Sequence, residues 1–126
     1  MTLENGVVLP ILEGVRLQPK CEVAGLDGEA PKGTVCLEYP PSLSEPPNED
    51  VQNRYAKLLT DRGFKFEGGA SIQYWLSWPT RDGCTRPFNI ASVPKTETPD
   101  GDDWSTAETF VLVMGFEPES CERPKT

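Results

Sequence analysis

Four cysteines, Cys21, Cys36, Cys84 and Cys121, constrain this chain more than any other feature, because each sequential pair brackets a strand, a turn-rich loop and a second strand. The midpoint of the first pair falls in AGLDGEAPKG, where Gly25, Asp27, Gly28, Pro31 and Gly33 are turn formers. The midpoint of the second pair falls in the polar loop PKTETPDGDDWST. Residues equidistant from a hairpin turn face each other across the strands, so both spacings suit disulfides that staple hairpins. Sequential pairing needs only this local geometry. The nested pairing, Cys21 with Cys121 and Cys36 with Cys84, also requires the amino-terminal hairpin to lie beside the carboxy-terminal strand. Zinc ligation calls for close local pairs of cysteines and redox catalysis for Cys-x-x-Cys, and neither spacing is present. Disulfides imply an oxidising compartment, here periplasmic or extracellular. On that expectation an export signal has been removed ahead of Met1, since the apolar run 7–12 is broken by Pro10, preceded by Glu4 and lacks a basic leader.

The remaining pattern predicts a single α+β domain over residues 1–126, in the order β-β-α-β-β-β. Residues 7–17, interrupted by Pro10 and Gly14, read as an extended edge segment or a strand entering the sheet. VRLQPKCEVA and GTVCLEY read as the two strands of the first hairpin, and the proline-rich PPSLSEPPNED as a stiff crossover. An amphipathic helix is predicted over about 49–62: Asn48 is a good N-cap, Glu49 and Asp50 favour the positive end of the dipole, and Val51, Tyr55, Leu58 and Leu59 share one face. Gly63 fits the left-handed C′ position and Phe64 the C″ position of a Schellman ending, packed on Leu59. Three antiparallel strands follow: FKFEGGASIQYWLSW, with a bulge or close approach at Gly68 and Gly69, then TRPFNIASV, then AETFVLVMGFEP. The helix is expected to cover one sheet face.

Function is less legible. The chain carries a net charge of -8, which disfavours nucleic acid and anionic membranes and makes a basic protein the natural complement. No histidine is present, so Ser-His and Cys-His nucleophile pairs are excluded and the commonest metal ligand is missing. No apolar run approaches the length of a membrane span. No cofactor or metal is expected: Asp100, Asp102 and Asp103 offer hard oxygens but lack the full calcium-loop pattern. The same three aspartates, with Glu97 and Trp104, form an acidic loop suited to a cationic or aromatic group on a partner. Trp75 is the second candidate contact. Alternation puts Tyr74 and Trp78 on one sheet face and Trp75 on the other, where it is either exposed or covered by residues 7–17. Machinery for catalysis reduces to carboxylates, with Glu67, Asp82, Glu108 and Glu117 as candidates and nothing to select among them. The expected role is therefore a non-catalytic, exported domain that binds another protein, of inhibitor, immunity or accessory type. A carboxylate-dependent envelope hydrolase and a structural module of an envelope lipoprotein are the alternatives.

Overall fold

A computed structural model describes residues 1–24, 30–43, 49–70, 72–99 and 104–121. One helix, α1 (Glu49–Asp61), packs on an antiparallel sheet of seven strands. The helix exists for the reasons its sequence suggests. Val51, Tyr55 and Leu59 are fully buried along one side, joined by Ala56 and Gln52, while Leu58 is partly buried at the margin. Its end is a Schellman motif: the Phe64 amide donates to the Leu59 carbonyl at 3.1 Å and the Gly63 amide to Thr60 at 3.2 Å. That geometry requires the φ of 104° that Gly63 adopts and most residues avoid. The expected N-cap, Asn48, lies outside the described residues.

The strands are β1 (Arg16–Leu17), β2 (Val35–Tyr39), β3 (Lys65–Ala70), β4 (Gln73–Arg81), β5 (Cys84–Pro94), β6 (Phe110–Phe116) and β7 (Ser120–Cys121), in the spatial order β1-β2-β6-β5-β4-β3. β7 resumes pairing with β5 after β6 ends. Between the two lies one extra residue: Phe88 pairs Phe116 and Thr85 pairs Ser120, so three steps on β5 face four on the returning chain, which is a bulge. The pairing of β2 with β6, Cys36 opposite Val113, merges the amino-terminal hairpin and the carboxy-terminal strands into one sheet.

Both disulfides follow the sequential pairing, Cys21 with Cys36 and Cys84 with Cys121, at Cα separations of 5.3 and 4.0 Å. The amino-terminal hairpin does lie beside a carboxy-terminal strand, the condition the nested pairing needs, yet that pairing is out of reach. Cys36 shares a rung with Val113 and Ala91, and Cys84 lies seven residues further along β5, about 23 Å at the strand rise. A disulfide spans Cα separations only up to about 7 Å.

Two segments depart from expectation. FKFEGGASIQYWLSW is two strands: the chain reverses between the register partners Ala70 and Gln73. Apolar alternation runs on through the reversal, so periodicity alone does not reveal it, and Phe64 belongs to the helix ending. The expected bulge is present, as a register shift between Phe66 and Gly68. The first strand of the amino-terminal hairpin is also far shorter than VRLQPKCEVA. The Gln18 amide makes one further ladder bond to the Cys36 carbonyl at 2.9 Å, and Pro19, with no N–H, ends the ladder.

The core lies between α1 and the face of the sheet that carries Leu37 and Tyr39 on β2, Leu76 on β4, Phe88 and Ile90 on β5, and Phe110, Leu112 and Met114 on β6. Burial raises the Tyr39 phenol to about 12, against a hydrogen bond to Ser92 that lowers it. Phe64 closes one end, with its ring centroid 5.0 Å from that of Phe88 and 4.8 Å from that of Trp78. Residues 1–15 join this side of the molecule, burying Leu3, Leu9 and Val15. Tyr55 anchors them by donating to the Pro10 carbonyl at 3.0 Å and accepting from the Leu12 amide at 3.1 Å. Arg62 adds a bond from Nε to the Val8 carbonyl at 2.8 Å. Residues 7–17 therefore cover the helix and leave Trp75 and the opposite face of the sheet to other elements.

Candidate functional site

Alternation along the strands assigns Cys36 and Glu38 of β2, Val111 and Val113 of β6, Asn89, Ala91 and Val93 of β5, and Trp75, Ser77 and Pro79 of β4 to the outer face, away from α1. One half of it, over β2 and β6, is roofed. Residues 18–24 leave the end of β1, are tied down by the Cys21–Cys36 disulfide, and reach the end of β5, where the Ala24 amide donates to the Pro94 carbonyl at 3.0 Å. The Gln18 amide group braces this roof, accepting from the Glu22 amide at 2.9 Å. Beneath it, Val111 and Cys36 are buried. Glu38 joins the same half to Arg16, to Gln18 and to Lys95, whose ammonium is 3.5 Å away. Desolvation raises the Glu38 carboxyl, but the hydrogen bonds from Arg16 and Gln18 and the charge of Lys95 outweigh it and hold the group below its ordinary value.

The other half, over β3, β4 and the start of β5, is covered by no segment among the described residues. Trp75 is 45% exposed there. Its register partner on β3 is Gly68, and a methyl built on Gly68 would meet nothing within 4 Å, so the space over that residue is open. A shallow groove of about 700 Å³ runs from Trp75 past Ser77, Pro79 and Pro87 to the Asp82–Gly83 turn and Ser120. Its polar groups are organised. The Ser77 hydroxyl, though buried, donates to Glu67 Oε1 at 2.7 Å, and Lys65 lies 3.9 Å from the same oxygen. Arg81 pairs with Glu119 at 3.0 Å. A hydrogen bond from Thr80, and then the Arg81 charge, keep the Glu119 carboxyl below its ordinary value despite some desolvation. The Cys84–Cys121 disulfide closes this end of the β5 hairpin and fixes the groove's far wall.

Trp104 occupies a different place. It sits in a single turn of 3-10 helix, Trp104–Thr106, with one side of its ring toward Phe110 at a centroid distance of 6.5 Å. It is half-buried and lines a cleft of about 530 Å³ with Val93, Pro94, Glu97 and Pro99. Trp75 shares a rung with Asn89, five residues along β5 from Pro94, so the two tryptophans mark separate sites roughly 16 Å apart along the strands. Asp100, Asp102 and Asp103 lie outside the described residues.

Of the four candidate carboxylates, the fold brings Glu67 and Asp82 into one groove. Glu117 accepts from the Asn89 amide group at 2.9 Å and borders the roofed half, while Glu108 lines a further cleft with Thr96 and Thr106. The donor atoms of Cys84, Glu119 and Cys121 fall within 4.8 Å of one another, but both sulfurs are consumed by the disulfide and no thiolate remains to hold a metal. Lys65, Ser77 and Arg81 escaped the sequence reading, because their importance depends on β3 folding back on β4. The one available signal was the Gly68–Gly69 interruption beside Trp75. Among the described residues no helix is long and apolar enough to cross a membrane. Comparison with protein-family models, curated proteins and solved structures finds no match to this chain.

Proposed function

We propose that this protein is a non-catalytic domain, exported to the periplasm or extracellular space, that binds a basic protein partner through the cleft lined by Glu97 and Trp104. The observation that carries the reading is the presence of Trp104 and Glu97 in the lining of one cleft, on a chain of net charge -8. An indole and a carboxylate lining one cleft suit a Lys or Arg side chain, by cation–π attraction and a charge-assisted hydrogen bond. The half-buried setting of Trp104 gives it a rigid back against Phe110, as a binding anchor requires. The two disulfides support export, since such bonds persist in oxidising compartments.

The test is capture from envelope extract on immobilised protein, at low and moderate salt, beside Trp104→Ala and Glu97→Gln. A basic protein retained by wild type, released as salt rises and lost from both variants is the expected result. Recovery of nothing at either salt, or equal recovery by the variants, overturns the reading.

A second reading, a carboxylate-dependent hydrolase, draws on the presence of Glu67 and Asp82 in one groove. Release of soluble fragments from purified envelope glycans, abolished in Glu67→Gln and Asp82→Asn, is the result that would replace the first reading with this one.

A further inference from the structure

The open half of the outer face has the composition of a ligand site rather than of ordinary surface. Single exposed apolar residues are common and mean little. Here Trp75 shares with the pyrrolidine rings of Pro87 and Pro79, further along the strands, a groove within the size range of small-molecule sites. The charges of its lining balance, Lys65 and Arg81 against Glu67 and Asp82; Lys65 lies against Glu67, and Arg81 against Glu119 at the groove's margin. An ionic ligand gains little from such a lining, whereas an uncharged one rich in hydroxyls finds both donors and acceptors. Glu67 is held in place by the Ser77 hydroxyl, and a carboxylate accepts several hydrogen bonds, so capacity remains for a ligand. Addition of a peptide strand is disfavoured, because β3, the sheet edge at this site, is bulged between Phe66 and Gly68.

We infer that this groove binds an uncharged oligosaccharide of equatorially substituted pyranoses, one ring stacked by its C–H face on Trp75 and bonded to Glu67, and a later ring of the same chain, roughly 16 Å along the strands, hydrogen-bonded to Arg81 and Asp82. The space over Gly68, the register partner of Trp75, is open. The φ of 151° at Gly68 belongs to the bulge and suits no other residue. The site is separate from the Trp104 cleft, so it stands or falls independently of the protein partner.

The experiment is isothermal titration of the intact, disulfide-bonded protein with cellohexaose and with chitohexaose, repeated at low and moderate salt. Binding of at least one of them, with affinity indifferent to salt, is expected. Trp75→Ala weakens it at least about tenfold, in line with the loss of an aromatic contact. Trp75→Phe recovers part of the affinity, and Glu67→Gln weakens it several-fold at an unchanged melting temperature, which separates loss of the site from loss of the fold. No heat at millimolar sugar, affinity that falls steeply with salt, or binding untouched by both Trp75→Phe and Glu67→Gln overturns the inference.

Discussion

The two halves of the outer face are built from one sheet under one pleat rule, yet one half is interior and the other is surface. Over β2 and β6 the outward residues include Cys36 and Val111, which are buried beneath residues 18–24. Over β3 and β4 they include Trp75, with Gly68 beside it and no covering segment among the described residues. The difference lies in the first disulfide. The edge strand β1 stops at Pro19, and the chain released there is held over β2 and β6 by Cys21 and its bond to Cys36. A sheet face without such a cover ordinarily alternates toward polar side chains. The open half instead keeps an aromatic ring and two prolines among charges that balance, which is why a binding role is proposed there.

The largest expected effect comes from removing the roof. Cys21→Ala with Cys36→Ala opens a loop of 15 residues and costs about 3 kcal/mol by loop-closure entropy. Equilibrium denaturation measures it, and a loss near zero would show that the roof stays in place without the bond. Next in size is a matched pair of truncations. Val111→Ala, under the roof, should cost about 2 kcal/mol through lost burial, whereas Trp75→Ala, on the open half, should cost about 1 kcal/mol despite removing a far larger side chain. Equal losses would mean that Trp75 is a packing residue and would erase the contrast. The smallest effect is a pH dependence confined to the roofed half. Glu38 is held below its ordinary value of 4.5, so its contribution is complete above that pH and is lost as pH falls through the folded value. Glu38→Gln should therefore melt lower than wild type at neutral pH, and the gap should close as the solution is acidified below the ordinary value of 4.5 and through the lower folded value. A gap that persists at low pH would assign the effect to packing rather than charge.

Much of the architecture was legible because it is local. The span of α1 and its Schellman ending depend on contiguous residues from Val51 to Phe64, whose spacing and glycine encode them. Both disulfides were legible for a related reason: hairpin pairing depends on distance from a turn, and turn residues announce themselves. The β3–β4 reversal was not, because apolar alternation continues through it. Among candidate site residues, Trp75 was correctly assigned to the face opposite the helix. Its neighbours Lys65, Ser77 and Arg81 carried no signal of their own.

By itself, then, the sequence determined the helix, its ending, the turn-centred cysteine pairs and the phase of the strand that carries Trp75. Each follows from interactions between residues a few positions apart, or from symmetry about a turn. Only the tertiary structure decided that β2 joins β6, that residues 1–15 pack with the helix, and that the loop through Cys21 roofs one half of the outer face while the other stays open. Those outcomes are competitions among long-range contacts of similar local cost. They are settled by which apolar surfaces fit together, and spacing along the chain does not record that.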